Sequence, residues 1–357
     1  MRFSLYSKGI GMMLGLIVGA GIFAMPAAVA RAGVWWGILH FGVAFALMLV
    51  LQMWFAEIAF FSRKPERFTG FARELLGKHA ERLAFIMIIV GYYGALLAYG
   101  VLGGIFLNAL MPVVSAFWWG VIFFVIGNIL AAFDFRKIGV INFYLTIPLL
   151  LFVVFLSSIL FSHIDMSVFR GLGSSAFWFL PYGVFVFAFG GIAAIPETSD
   201  IIKPLGLGAL RRVIVWSMAI SAVLYAIFIF SIVGVTGSAT TDDALVGIGN
   251  AVGAFVIALG AAIGFLAVFT SFLALGSDMQ NIFRLDYGRK KMISWLLTGV
   301  PPFLLFLFGI SQFLEIISFV GAVAFGMSGV LIFFMARSLH RLYPDHQHTF
   351  ISIKNPL

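Results

Sequence analysis

The chain has 357 residues, 62% of them hydrophobic and only 10% charged. A soluble domain carries about 25% charged residues, so the soluble classes are excluded. The absence of cysteine excludes disulfides and thiolate chemistry. The net charge of +8 raises nucleic acid as a partner, but the placement of the basic residues argues against it.

Ten apolar segments are each long enough to approach the ~20 residues that a helix needs to cross a bilayer. They lie at roughly 8–31, 34–61, 83–110, 114–133, 139–161, 175–200, 210–236, 247–276, 291–310 and 313–336. The connections then alternate sides. All 22 basic residues except Arg31 and Arg170 fall on one side, including Arg63, Lys64, Arg136 and Lys137. Basic residues mark the cytoplasmic face. The expectation is a multi-pass all-α protein of the cell (plasma or inner) membrane with both termini cytoplasmic, and no nucleic-acid partner.

The first segment contains "GAGIFAMP", Gly19 to Pro26. Residues 1–30 also imitate a signal peptide, with Arg2, Lys8, an apolar run and Ala28-Val29-Ala30; the repeat described below argues against cleavage. The second segment carries His40 at one end and Glu57 in "MWFAEIAFF". A carboxyl in a membrane segment is a functional candidate, here for proton transfer, but Glu57 lies about one turn from the helix end, where a structural partner explains it equally well. The stretch 66–85 has the pattern of a short surface helix. The third segment passes the centre at Tyr92, Tyr93 and Tyr99; Tyr93 is taken as the candidate hydroxyl for a substrate.

The sixth segment contains "FGGIAAIP", Phe189 to Pro196, which aligns with the first motif. Gly21 matches Gly191, Ile22 matches Ile192, Ala24 matches Ala194 and Pro26 matches Pro196. The two segments cross in opposite directions, so the chain divides into inverted five-helix halves, 1–161 and 162–336, with a tail at 337–357. Broken apolar segments at matching positions of two halves point to a transporter's central site. Glycine tolerates an unwound turn and proline removes a donor. Freed backbone groups are costly in hydrocarbon unless something binds them. Gly19, Ala20, Gly21 and Ile22 open a half-helix whose amides suit a carboxylate. Carbonyls from Phe187 to Gly190 suit an ammonium or a cation. The competing reading is a pair of kinks whose glycines let helices pack. Phe187 and Phe189 are candidate walls for a substrate side chain, and Gly190 and Gly191 leave room for it. Glu197 and Asp200 end the segment as a candidate gate with basic residues such as Lys203 or Arg211, or as a solvated loop.

At these motifs the chain resembles the amino acid–polyamine–organocation superfamily. "GAGIFAMP" is similar to its first-helix "GxGIxxxP" signature. "PYGVFVFAFGGIAAIPETSD" (181–200) and "FLAVFTSFLALGSDMQNIF" (265–283) resemble segments of the amino acid/auxin permeases and bacterial aromatic amino acid permeases. The resemblance implies the leucine-transporter fold, with helices 1, 2, 6 and 7 rocking against a scaffold, and cation-coupled uptake of an amino acid, a neutral or aromatic one given the aromatic walls. It also implies a Na⁺ site: carbonyls of Gly15 and Val18 in the first helix, with Ala267, Thr270 and Ser271 of "AVFTS" in the eighth. The alternative is that these hydroxyls bond back to their own helix. Proton coupling stays open; the helix-5 lysine of some proton-coupled relatives is missing from 139–161.

No Ser/His/Asp or His/Glu cluster is evident, and no phosphate-binding loop of the Walker type occurs, so neither an enzyme nor an ATP-driven pump is expected, and no cofactor beyond Na⁺ or H⁺ as coupling ion. The expected partners are a small amino acid and the lipid bilayer. An exchanger or a sensor of the same fold is the remaining alternative.

Overall fold

The computed structural model describes residues 2–61, 67–133 and 138–342. The basic residues at 63, 64, 136, 137 and 354 lie outside them, as does the tail beyond 342. The described chain is helical throughout and carries no strand. Its main helices are α1 (Arg2–Ile17), α2 (Gly21–Ala32), α3 (Val34–Phe61), α4 (Phe68–Leu76), α5 (Lys78–Leu110), α6 (Ala116–Ala131) and α7 (Ile138–Leu160). After three short 3₁₀ turns come α8 (Leu180–Ala188), α9 (Ile195–Ile202), α10 (Leu207–Thr236), α11 (Gly249–Asn281), α12 (Lys291–Leu307), α13 (Phe313–Phe319) and α14 (Gly326–Leu342).

These account for the ten expected segments. Seven helical spans among the described residues are long and apolar enough to cross a membrane, and the bent pair α1–α2 makes an eighth. The remaining two, α6 and α12, have 16 and 17 residues, shorter than the runs read from the sequence. α12 contains Pro301 and Pro302, and the chain leaves it at Gly309, whose φ of 89° a residue with a Cβ rarely adopts. The tenth segment is interrupted by a π-helical stretch at Val320–Phe325 that no sequence signal announces. The surface helix expected at 66–85 is shorter than that range: α4 ends before Gly77 (φ 90°), where α5 begins.

The helices carry no consistent polar face because lipid and protein interior are both apolar. On α3, Ala44, Met48 and Phe55 are buried while Trp35, Ile38, Leu39 and Val43 remain on the outer surface, where lipid would meet them. Two groups pack around the centre. α1, α2, α3, α8, α9 and α10 contact one another; α5, α6, α11 and α12 form the second group. α7 bridges them through α10, α1 and α11, while α13 and the following π segment lie against α5 and α8. Both interruptions fall in the first group and face the second.

Candidate functional site

The first interruption occupies Val18–Ala20 and bends the chain by 51°. The Val18 amide still reaches the Leu14 carbonyl at 2.8 Å, but the Gly19 amide turns back to Ile17 at 3.1 Å. Ile22 and Phe23 donate to Gly19 and Ala20 at 3.3 and 3.2 Å, a tight first turn for α2. Among the described residues the Ala20 and Gly21 amides find no acceptor. Glycine at 21 is required by proximity: a Cβ there would stand 2.8 Å from the Ala188 Cβ. The break therefore rests directly on the end of α8.

The second interruption, Phe189–Gly191, lies between α8 and a 3₁₀ turn at Ile192–Ala194. Of the carbonyls that the sequence suggested were open, those of Phe187, Ala188 and Phe189 have protein partners. The Phe187 carbonyl accepts from the Gly190 amide at 3.0 Å. The Phe189 carbonyl accepts from Gln52 Nε2 at 2.9 Å. The Ala188 carbonyl accepts from the Tyr225 hydroxyl at 3.0 Å, and the same hydroxyl lies 2.7 Å from the Ile17 carbonyl at the end of α1. Gln52 and Tyr225 are fully buried; neither was singled out from the sequence. Each was visible there as a polar side chain in an otherwise apolar span, which is uncommon in a membrane segment.

Between the breaks lies a cleft of about 660 Å³, part of it open to solvent. Gly19, Ala20 and Gly21 line it from the first break, and Phe187 and Gly190 from the second. Tyr92 and Tyr99 of α5 face it, together with Ile192, Ala193 and Phe325. The Phe187 and Phe325 rings stack with centroids 5.8 Å apart. Among the described residues the amides of Ile192 and Ala193 also lack a backbone acceptor. Unpaired N–H groups thus come from both broken spans, between aromatic walls.

Four candidates do not line this cleft. The Tyr93 hydroxyl donates to the Leu297 carbonyl of α12 at 2.5 Å; Tyr92 and Tyr99, seven residues apart, share a helix face that Tyr93 leaves by about 100°. Phe189 packs behind the break against Phe41, Phe45 and Tyr225, at centroid distances of 5.3, 5.7 and 5.3 Å. Ile22 is buried in α2. Gly191 serves close approach: a Cβ would meet both Gln52 Oε1 and Ile17 at 2.9 Å.

The proposed cation ligands occupy two helices. Gly15 and Val18 are buried on either side of the α1 terminus, and Ala267 and Thr270 are buried in α11. Ser271 approaches the break: its Oγ lies 4.0 Å from where a Gly19 Cβ would be. The Thr270 hydroxyl bonds to its own helix, at 2.9 Å to Leu266 and 3.2 Å to Ala267.

Three charged clusters surround the core. On the side of the chain ends, Glu57 is buried between Arg211 at 2.5 Å and His340 at 3.1 Å, so its partners are on α10 and α14. Arg67 lies between Glu197 at 3.6 Å and Asp278 at 3.7 Å, while Asp200 is exposed. A second cavity runs beside this pair; Tyr92 lines both cavities and donates to Asp278 at 2.8 Å. On the opposite side Arg31 pairs with Asp242 at 2.6 Å and with Glu315 at 3.5 Å. Burial raises the carboxyl of Asp242 despite Arg31, and burial raises that of Asp243 despite hydrogen bonds. Among the described residues no group of three His, Asp or Glu could hold a metal ion.

The model of the tryptophan/tyrosine permease family matches residues 5–351. The chain belongs to this family. The permease is accordingly a multi-pass membrane protein of amino acid transport and not an enzyme. No curated sequence matches it. Among solved structures, MhsT in complex with L-phenylalanine is similar with a TM-score of 0.68 and 17% identity, over 91% of this chain and 87% of that one. Mhp1 in its inward-facing conformation is similar with a TM-score of 0.69 and 13% identity, over 95% and 77%. At such identities the likeness establishes the fold, that of the leucine transporter with its two inverted five-helix repeats.

Proposed function

We propose that the permease is a secondary active symporter that carries an aromatic amino acid by alternating access, with both termini cytoplasmic and halves dividing near residue 161. One observation carries this reading: a cleft between two broken spans that combines unpaired amides from both with walls of Phe187, Phe325, Tyr92 and Tyr99. The amides suit a carboxylate and the rings a large apolar side chain. The family and the phenylalanine bound to MhsT support the same substrate class.

Na⁺ bound by Gly15, Val18, Ala267, Thr270 and Ser271 is the proposed coupling ion, supported by the approach of Ser271 to the first break. Proton coupling is the second reading, favoured by the bonds of Thr270 to its own helix, with Glu57 as its candidate carboxyl. Uptake of labelled L-tryptophan into proteoliposomes separates the two. Accumulation under a Na⁺ gradient, with Na⁺ dependence lost in a Thr270→Ala/Ser271→Ala double variant, is the expected result. Accumulation under a pH gradient alone would transfer coupling to a carboxyl and make Glu57→Gln the next test. Binding without accumulation under either gradient would favour exchange or sensing.

A further inference from the structure

The second cavity, beside Arg67 and Asp278, encloses about 600 Å³, part of it open to solvent, a size within the range of small-molecule sites. Tyr92 and Phe325 border both this cavity and the central cleft. Phe55 and Phe68 border the cavity and not the cleft, with ring centroids 5.6 Å apart. The Tyr92 hydroxyl donates to Asp278 Oδ2 at 2.8 Å, and the other oxygen, Oδ1, lies 3.7 Å from Arg67 Nη1. Arg67 Nη2 faces Glu197 at 3.6 Å. Both ion pairs are longer than a hydrogen bond.

A guanidinium and a carboxylate this close, without a hydrogen bond closed between them, form a dipole that a ligand of matching charges can bridge. A lone anion would meet Arg67 but also the carboxylates of Asp278 and Glu197. A lone amine would meet the positive charge of Arg67. A zwitterion brings one charge of each sign: its carboxylate matches the planar fork of the guanidinium, and its ammonium donates to Asp278 Oδ1. The rings of Phe55, Phe68, Tyr92 and Phe325 offer a surface for a large apolar side chain. We infer that this cavity is a second amino acid site on the side of the chain ends, in which Arg67 takes the carboxylate, Asp278 the ammonium, and Phe55 and Phe68 an aromatic side chain. The inference rests on the amino acid reading above and adds a second place of binding, built from side chains, next to the central one. Tyr92 stands between the two, its ring on both and its hydroxyl fixing the carboxylate of the second.

The test is photolabelling of the purified full-length protein with p-azido-L-phenylalanine, with the adducts located by mass spectrometry of peptides. Wild type should carry two sets of adducts, one around Phe187 and Ala188 in the central cleft and one around Phe55 and Phe68. Excess L-tryptophan should protect both. Arg67→Gln should lose about 10-fold of the Phe55/Phe68 set and retain the Phe187/Ala188 set. That factor is the low end for a hydrogen bond to a charged group, as fits a side chain 40% exposed. Central adducts without any at Phe55 or Phe68 would overturn the inference and leave the amino acid reading standing, as would a Phe55/Phe68 set that L-tryptophan does not protect. A second measurement uses wild type alone. Two probes that each lack one charge, 3-(4-azidophenyl)propionate and 2-(4-azidophenyl)ethylamine, should label Phe55 and Phe68 about 10-fold less than the amino acid does. Equal labelling by either would refute a zwitterion site even if the variant fails to fold. No protected adduct at either place would instead remove the amino acid reading, and the inference with it.

Discussion

The two interruptions share a motif and differ in how they are held. The first is a sharp bend of 51°; among the described residues no side chain from its own half bonds to it, and its one side-chain bond is from Tyr225 in the other half. The second continues through Leu180–Leu205 as one span, with successive carbonyls held by Tyr225 and Gln52 and the Phe189 ring packed behind them. Similar letters therefore build a hinge in one place and a clamped turn in the other. The difference lies in neighbours from other helices, and under the proposed alternating access Val18–Ala20 should flex more readily than Phe189–Gly191.

The largest effects should come from filling the interruptions. Gly21→Leu and Gly191→Leu each introduce a side chain where even a Cβ meets atoms within 2.9 Å. Misplacement of about 1 Å at such a site can cost ~100-fold, so L-tryptophan uptake should fall by about that factor in both, with membrane insertion retained. Normal uptake by both variants would remove the shared-site reading. A smaller effect separates the two breaks. Gln52→Met keeps the length of the side chain and leaves the Phe189 carbonyl without its donor. An unsatisfied buried acceptor costs about 1–3 kcal/mol, so heat stability in detergent should drop. Amide exchange should then rise around Phe189–Gly191 and stay unchanged around Val18–Ala20; a rise at both would erase the distinction drawn here.

The smallest effect lies away from both. Burial holds the Asp243 carboxyl above its ordinary value, so the folded state retains the proton more tightly than the unfolded one. The resulting stability is fully present at pH below the ordinary aspartate value and is lost as pH rises through the raised value in the folded protein. Asp243→Asn, which can still accept from the Val246 amide, should raise the melting midpoint at pH 7 by about 1–2 °C. The gain should vanish on acidification; a gain independent of pH would mean that charge burial is not its cause.

What was legible in the sequence was local. Runs of apolar residues reveal spans, and Gly-Pro clusters within them reveal interruptions, because both effects act over a few residues. The supports act across distance. Gln52 is 137 residues from Phe189, and Tyr225 is 208 from Ile17, so no spacing rule connects them. Tyr93 shows a finer limit: its helix and depth were evident, but one residue of rotation directs it to Leu297 and leaves the cleft to Tyr92 and Tyr99. The π-helical turn at Val320–Phe325, which brings Phe325 to the cleft, packs against α8 and α5 and has no composition of its own.

Tyr92 links two compartments, since its ring borders the central cleft and also the cavity that reaches Arg67 and Asp278. A molecule leaving the cleft by this route passes a hydroxyl already engaged with a carboxylate at 2.8 Å. In the proposed transport cycle, retention and departure by this route would then involve the same side chain. Changes there should alter residence time and turnover together, so that a tighter grip is accompanied by a slower delivery.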